Sequence, residues 1–394
     1  MVELKAEGLA GRWWWGAGAS AVQTEGACPA DDWYRWERQG RAAFSGDGNG
    51  FTACYERDVT LVSALGITDY RLSINWARVI PEPGQVDREA VTYYREVLEA
   101  GSAAGLRMWI CLLHSAIPTW FADTGGFTSE KALDVWLGWV DTAAALFADL
   151  AGGWMPFNTP TSYVQKAYLA GTFPPGQRDP KTAAAALRTV HTCDFEAAAR
   201  LRSTGRPVCS NEALMPIFPA DQSASALAAA AKLDEFVWSS WLHLARQPKY
   251  RTAFDLYGFT YYYASRVTGT RQLLPHPVDH EPGPLGYVAW PDGLALVLAR
   301  LRQELPGARF VVAELGCAGG PETDDVGRCE YLVRALGHIA AAQDDGMPID
   351  GVSLWTAVDN YEWLAGFDVS FGLFTMSREP RRSADVMRKA IQGG

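Results

Sequence analysis

Eight short apolar or alternating runs recur along the chain, each followed by a stretch of helical length, and this rhythm restricts the folds open to it. The runs are RWWWGAGAS (12–20), ITDYRLSI (67–74), RMWICLLH (107–114), GWMPFN (153–158), PVCSNEAL (207–214), DLYGFTYYY (255–263), RFVVAELG (309–316) and GVSLWTAV (351–358). Between them lie amphipathic or alanine-rich segments such as REAVTYYREVLEAGSAAG, KALDVWLGWVDTAAALFADL and DGLALVLARLRQEL. Strand then helix, eight times over, predicts an α/β fold of the closed (β/α)8 TIM barrel type, with residues 1–394 forming one domain. An open doubly wound sheet is the competing arrangement. It would carry a glycine-rich phosphate turn after its first strand, and WWWGAGAS does not fit G-x-G-x-x-G.

Chemistry on such a barrel sits at the C-terminal ends of the strands, and polar or aromatic residues gather there. Gln23 follows the first run, Arg71 lies within the second and His114 ends the third. Asn158 and Thr159 end the fourth, and Glu212 lies on the fifth. Tyr262 is on the sixth and Glu314 on the seventh, while Trp355 is on the eighth with Glu362 and Trp363 just beyond. Glu314 ends a wholly apolar strand, so its carboxylate needs a partner or a proton. Arg71 is the expected partner. The pair reads either as a nucleophilic or electrostatic carboxylate with its orienting cation, or as an ion pair capping the barrel. Trp355 and Trp363 flank Glu362, which suits a sugar: its C–H face stacks and its hydroxyls meet the carboxylate. A core tryptophan pair with a surface glutamate is the plainer alternative. No second histidine stands at metal-ligand spacing from His114, so neither a metal nor a cofactor is expected.

The totals exclude other classes. A net charge of −10 argues against a nucleic-acid footprint and a basic membrane-binding face. Seven cysteines, an odd number without a C-x-x-C pair, predict free thiols in a reducing compartment. The N-terminus lacks a basic-then-apolar leader and no apolar run reaches about 18 residues, so a cytoplasmic location is expected. The expected partner is a small molecule, a glycoside or sugar-like compound.

Taken in order, the segments resemble family 1 of the glycoside hydrolases, the retaining β-glucosidase family, over roughly residues 12 to 390. WWWGAGASAVQTEGA is similar to the family's opening, YRLSINWARVIPEP to its Y-R-F-S-I-x-W-x-R-I-x-P stretch, and FNTPTSYVQKAYLAGTFPPG to N-E-P followed by G-x-x-A-P-G. DLYGFTYYY resembles D-F-I-G-x-N-Y-Y, VVAELG the T-E-N-G nucleophile site, and LWTAVDNYEW the W-S-L-x-D-N-F-E-W run. The resemblance implies Glu314 as nucleophile, oriented by Arg71 and Tyr262. It implies Gln23, His114, Asn158, Glu362 and Trp363 as ligands of the sugar hydroxyls, Trp355 as a stacking floor and Phe371 as a wall.

Four positions depart from the family pattern. Thr159 stands where the acid/base glutamate belongs, Ser115 replaces a tryptophan and widens the pocket, Leu315 replaces an asparagine after the nucleophile, and Thr260 replaces another. Threonine cannot protonate a leaving group or deprotonate water at neutral pH. Three readings follow: cleavage of, or transfer from, glycosides whose leaving groups need no proton; a repurposed biosynthetic reaction on a sugar-like metabolite; or sugar binding without chemistry. Glu212, on the strand next to Thr159, could substitute for the missing carboxyl, or it could be paired structurally with a neighbouring base.

Overall fold

The computed structural model describes residues 13–320 and 325–393; Arg12, the first residue of the first expected strand, lies outside them. The eight expected runs form eight parallel strands. They are β1 (Trp14–Gly18), β2 (Asp69–Ser73), β3 (Arg107–Cys111), β4 (Gly153–Met155), β5 (Glu212–Ala213), β6 (Tyr257–Tyr261), β7 (Phe310–Leu315) and β8 (Ile349–Leu354). They hydrogen-bond in the order β4-β3-β2-β1-β8-β7-β6-β5. The remaining seam lies between β4 and the chain leading into β5. There the Trp154 N–H donates to Pro207 O at 2.9 Å and the Cys209 N–H to Trp154 O at 2.8 Å, so the sheet curls into a barrel. A three-stranded sheet of Ile217–Pro219, Ala264–Val267 and Leu273–His276 lies outside it.

Alternation along the strands decides what fills the barrel. Trp14, Trp109, Cys111, Met155, Cys209, Leu256, Val311 and Ala313 form one buried inner cluster. The Trp14 and Trp109 rings stack with centroids 4.3 Å apart. Gly153 makes room for them, since a Cβ there would come within 2.3 Å of the Trp109 ring. The outward residues pack beneath the helices in a second, larger core. Helix starts follow local chemistry: Asp87 accepts from the N–H groups of Glu89 and Ala90, and Asp179 caps Pro180–Leu201 with proline in the first turn.

β7 departs from simple alternation. Val312 pairs with Phe259 but the next pairing is Glu314 with Thr260, which leaves Ala313 as an extra residue. A matching shift occurs against β8. This bulge turns Glu314 into the barrel directly after the inward-facing Ala313, the kind of re-aiming for which bulges beside functional sites are known. Among the described residues no helix is long and apolar enough to cross a membrane.

Candidate functional site: a carboxylate–arginine centre at the C-terminal rim

Glu314 and Arg71 meet on the barrel axis just above the apolar plug. An Arg71 Nη2–H donates to Glu314 Oε1, and the Tyr262 hydroxyl donates to Glu314 Oε2 at 2.9 Å. Both side chains are nearly sealed, Arg71 being 1% and Glu314 4% exposed, so the pair sits where electrostatics are weakly screened. Burial is the largest influence and acts to lower the Arg71 pKa, but the Glu314 charge and hydrogen bond together with Cys111 and Tyr262 outweigh it and hold the guanidinium above its ordinary value.

The second Arg71 arm donates to Asn158 Oδ1 at 2.5 Å. Asn158 Nδ2 in turn lies 3.2 Å from His114 Nε2 and donates to Thr159 Oγ1 at 3.3 Å. Burial pulls the His114 pKa well below the usual value, and the Arg71 and Lys166 charges add to this, which leaves a neutral imidazole. Its ring faces Trp363 at 6.0 Å and Trp355 at 5.5 Å between centroids. Trp355 Nε1–H donates to Glu362 Oε1 at 3.0 Å, and the Arg71 guanidinium lies 5.4 Å from the Trp355 ring. The Glu362 carboxyl is pushed up to about 8, first by burial and then by the Glu314 charge, against the Trp355 hydrogen bond and the Lys166 charge. Phe371 packs edge-on against Tyr262 at 5.8 Å.

Gln23 is fully buried, and its amide donates to Tyr361 O at 2.7 Å and accepts from Ser20 Oγ at 2.8 Å, so its bonds fix the loop carrying Glu362. Ser115 and Thr159 are nearly buried and both adopt left-handed backbone, with φ of 71° and 47°. Thr159 opens the short helix Pro160–Val164 and its N–H donates to Asn211 O at 2.7 Å.

Glu212 is not brought into this group. It is fully buried behind β5, where Oε2 lies 3.1 Å from His191 Nε2 and Oε1 accepts the Ala213 N–H at 2.8 Å. Its neighbour Asn211 takes the inward place. Asn211 Nδ2 donates to Asn158 Oδ1 at 2.5 Å and reaches Glu314 Oε1 at 3.5 Å, while its Oδ1 accepts from the Thr260 hydroxyl at 2.8 Å. Sequence reasoning passed over Asn211. The period-two rule was the available signal, because Asn211 shares parity with the inward Cys209. Lys166 was also passed over. It lies on a π-helical turn, Gln165–Leu169, with its ammonium 4.9 Å from the Phe173 ring, itself packed against Trp363 at 5.3 Å.

Among the described residues no cluster of three or more His, Cys, Asp or Glu side chains is arranged to hold a metal ion. What the site offers is a carboxylate held at both oxygens, an adjoining protonatable carboxyl, and indole faces with amide and imidazole groups between them. Such an arrangement presents an attacking or charge-stabilising oxygen to a small polyhydroxylated ring.

The chain is 25% identical over 370 residues to the chloroplastic galactolipid galactosyltransferase SFR2 of Arabidopsis thaliana, a match spanning 86% of this chain and 57% of that protein. It is 24% identical to raucaffricine-O-beta-D-glucosidase of Rauvolfia serpentina, over 94% of this chain and 88% of the relative. Among solved structures, a beta-glycosidase from Pyrococcus horikoshii superposes with a TM-score of 0.88 at 26% identity, covering 97% of this chain and 94% of the other. The Thermotoga maritima family 1 β-glucosidase in complex with isofagomine lactam shares the fold, with a TM-score of 0.85 at 19% identity over 97% of this chain and 98% of that one. The model of Glycosyl hydrolase family 1 matches residues 6–257 and 253–392, and the chain therefore belongs to that family as a glycosidase-like enzyme.

Proposed function

We propose that this protein is a family 1 enzyme that attacks β-glycosides through Glu314 and, having no carboxyl at the end of β4, turns over only donors with good leaving groups. The glycosyl unit then passes to water or to an acceptor hydroxyl. The observation that carries this reading is the contrast across the pocket: both Glu314 oxygens are held by Arg71 and Tyr262, while β4 ends in Asn158 and the Thr159 hydroxyl.

In retaining hydrolysis two carboxyls stand roughly 5–5.5 Å apart, one attacking the anomeric carbon and the other shuttling the proton. Arg71 holds one Glu314 oxygen, and the Tyr262 hydroxyl fixes the second so that a lone pair faces the substrate. Trp355 supplies a flat apolar floor, and Glu362, Trp363, His114 and Asn158 surround it with partners for hydroxyls. A positioned acid or base contributes about 10²–10⁴-fold, so an alkyl glycoside, whose leaving alkoxide must be protonated, would react slower by about that factor. Relatives whose names record both glucosidase and galactosyltransferase activities support hydrolysis and transfer as the two fates of the glycosyl unit.

The test is trapping. Incubation with a 2-fluoro-glycosyl fluoride, whose fluoride needs no general acid, should add one fluoro-sugar to the peptide containing Glu314, read by mass spectrometry. Azide should accelerate turnover of an activated aryl glycoside. A folded protein that acquires no label on Glu314 and shows no azide effect would overturn the reading.

A further inference from the structure

A second cleft, of about 260 Å³, lies between the helix Asp32–Arg38, the chain after β3 (117–128) and residues 174–177. Asp32 and Trp36, one helical turn apart on the same face, both line it, and each is only 5% exposed. Each leaves a polar group unmatched. Asp32 Oδ1 accepts the Ile117 N–H at 2.9 Å, while Oδ2 receives no hydrogen bond from another described residue. The Trp36 indole N–H is buried and has no partner among the described residues. Buried polar groups are as a rule hydrogen-bonded, so an acceptor and a donor left over on one cleft call for a common partner.

The lining narrows what that partner is. Arg35 is held by both oxygens of Asp123, at 2.6 and 3.0 Å, and the Arg41 guanidinium sits 3.5 Å over the Trp36 ring. An anion would meet Asp32 and Asp123, and a cation would meet Arg35 and Arg41. Burial, against the Ile117 hydrogen bond, raises the Asp32 pKa well above the usual carboxylate range, which suits a neutral partner better than a cation. Ile117, Pro174 and Pro175 add apolar wall, and the Gln39 and Gln177 amides stand at the exposed rim. An uncharged ring with an apolar face and several hydroxyls fits this lining, because a hydroxyl both donates and accepts. At about 260 Å³ the cleft is smaller than the roughly 300–1,000 Å³ of sites for drug-sized ligands, which limits the ligand to one small ring. The cleft is separate from the catalytic pocket: Trp33, on the same helix, packs instead on Trp363 at 4.7 Å, and Phe173, next to Pro174, packs on Trp363 at 5.3 Å.

We propose that this cleft is a second carbohydrate-binding site, taking one monosaccharide unit of which one hydroxyl bonds to Asp32 Oδ2 and another accepts from the Trp36 indole N–H. It is distinct from the pocket around Glu314 and does not depend on Glu314 acting as nucleophile. For a glycosidase-like enzyme the substrate, the released sugar and an acceptor sugar all belong to this ligand class.

The test is fluorine NMR of the full-length protein carrying 5-fluorotryptophan, with the Trp36 and Trp363 signals assigned from Trp36→Phe and Trp363→Phe. D-Glucose, putrescine and inorganic phosphate are titrated in turn. Glucose should move the Trp36 signal saturably, and putrescine and phosphate should leave it in place. Asp32→Leu should weaken the Trp36 response to glucose by about tenfold or more while Trp363 responds as in wild type, and Asp32→Asn should keep most of it. Gln177→Phe, which narrows the cleft from its exposed rim and leaves Asp32 intact, should weaken the response as well. A Trp36 signal that ignores glucose would overturn the inference and leave water as the partner of both groups. A response to putrescine or phosphate instead of glucose, or one unchanged in both Asp32→Leu and Gln177→Phe, would overturn it too. A saturable Trp36 response with Trp363 silent would support this site while counting against the sugar pocket beside Glu314.

Discussion

Restoring a carboxyl at the end of β4 tests the central reasoning most directly. Thr159 sits at φ 47° and ψ 59°, a left-handed conformation that a β-branched residue adopts only when its surroundings impose it, at a cost of order 1–3 kcal/mol. Thr159→Glu therefore removes a branched side chain from a site that does not suit one. The new carboxyl would stand at the end of β4, across the pocket from Glu314, and burial together with the Glu314 charge would raise its pKa toward the range a general acid needs. The full effect of a positioned acid is about 10²–10⁴-fold, or about 2.7–5.4 kcal/mol of barrier. The lower end is expected here, because among the described residues the side chain bonded to Thr159 is Asn158, at 3.3 Å, and little else there would hold a carboxyl in place. The assay is kcat/KM on methyl β-glucoside against 2,4-dinitrophenyl β-glucoside. The variant should gain about 10²-fold on the alkyl substrate and little on the activated one, flattening the dependence on leaving-group acidity. An alkyl rate still within about threefold of wild type would refute the reasoning, provided the variant melts like wild type and Glu314 still takes the fluoro-sugar label.

Three further outcomes are expected. Asp194 is buried on helix Pro180–Leu201, the Phe157 N–H beside it lies outside good hydrogen-bond geometry, and burial followed by the Glu212 charge raises its pKa well above the usual range. Its protonated form is the one that suits the fold, so the stability it permits is full below about pH 4 and is lost as pH rises toward its folded pKa. Asp194→Leu should then stabilise by about 1–3 kcal/mol in urea at neutral pH and by less at pH 4; destabilisation at both would sink the account. Glu362 follows the same sign: its folded pKa of about 8 exceeds the usual value near 4.5, so its contribution falls as pH rises through about 8. Glu362→Gln should gain melting temperature relative to wild type as pH rises from about 5 to about 8, and parallel curves over that range would contradict this. Asn211→Ala should cost about 1–3 kcal/mol in denaturant unfolding and lower kcat/KM, since Asn158, Glu314 and Thr260 each lose a partner; unchanged stability would show that the network closes without it.

The order of elements was legible from the sequence alone. Eight apolar runs separated by amphipathic segments became eight parallel strands in one curled sheet, because a strand buried on both faces must be apolar and the helices covering it must show one apolar stripe. Glu314, Arg71, Tyr262, Asn158, His114 and Trp355 could be named because residues at strand ends converge on one rim whatever lies between them. Which way individual side chains face was decided by tertiary structure. Strict alternation from Val311 would send Glu314 out of the barrel, and the bulge at Ala313 turns it in, a shift that exists only in the pairing with β6 and β8. Alternation on β5 gives the pocket Asn211 and sends Glu212 outward to His191, although the two are adjacent in sequence. Lys166 comes to lie over the Phe173 ring from a π-helical turn, and local composition does not report a change of one residue in helical winding. Sequence fixes periodicity, which is local; inward or outward orientation depends on register between strands, which is a property of the assembled sheet.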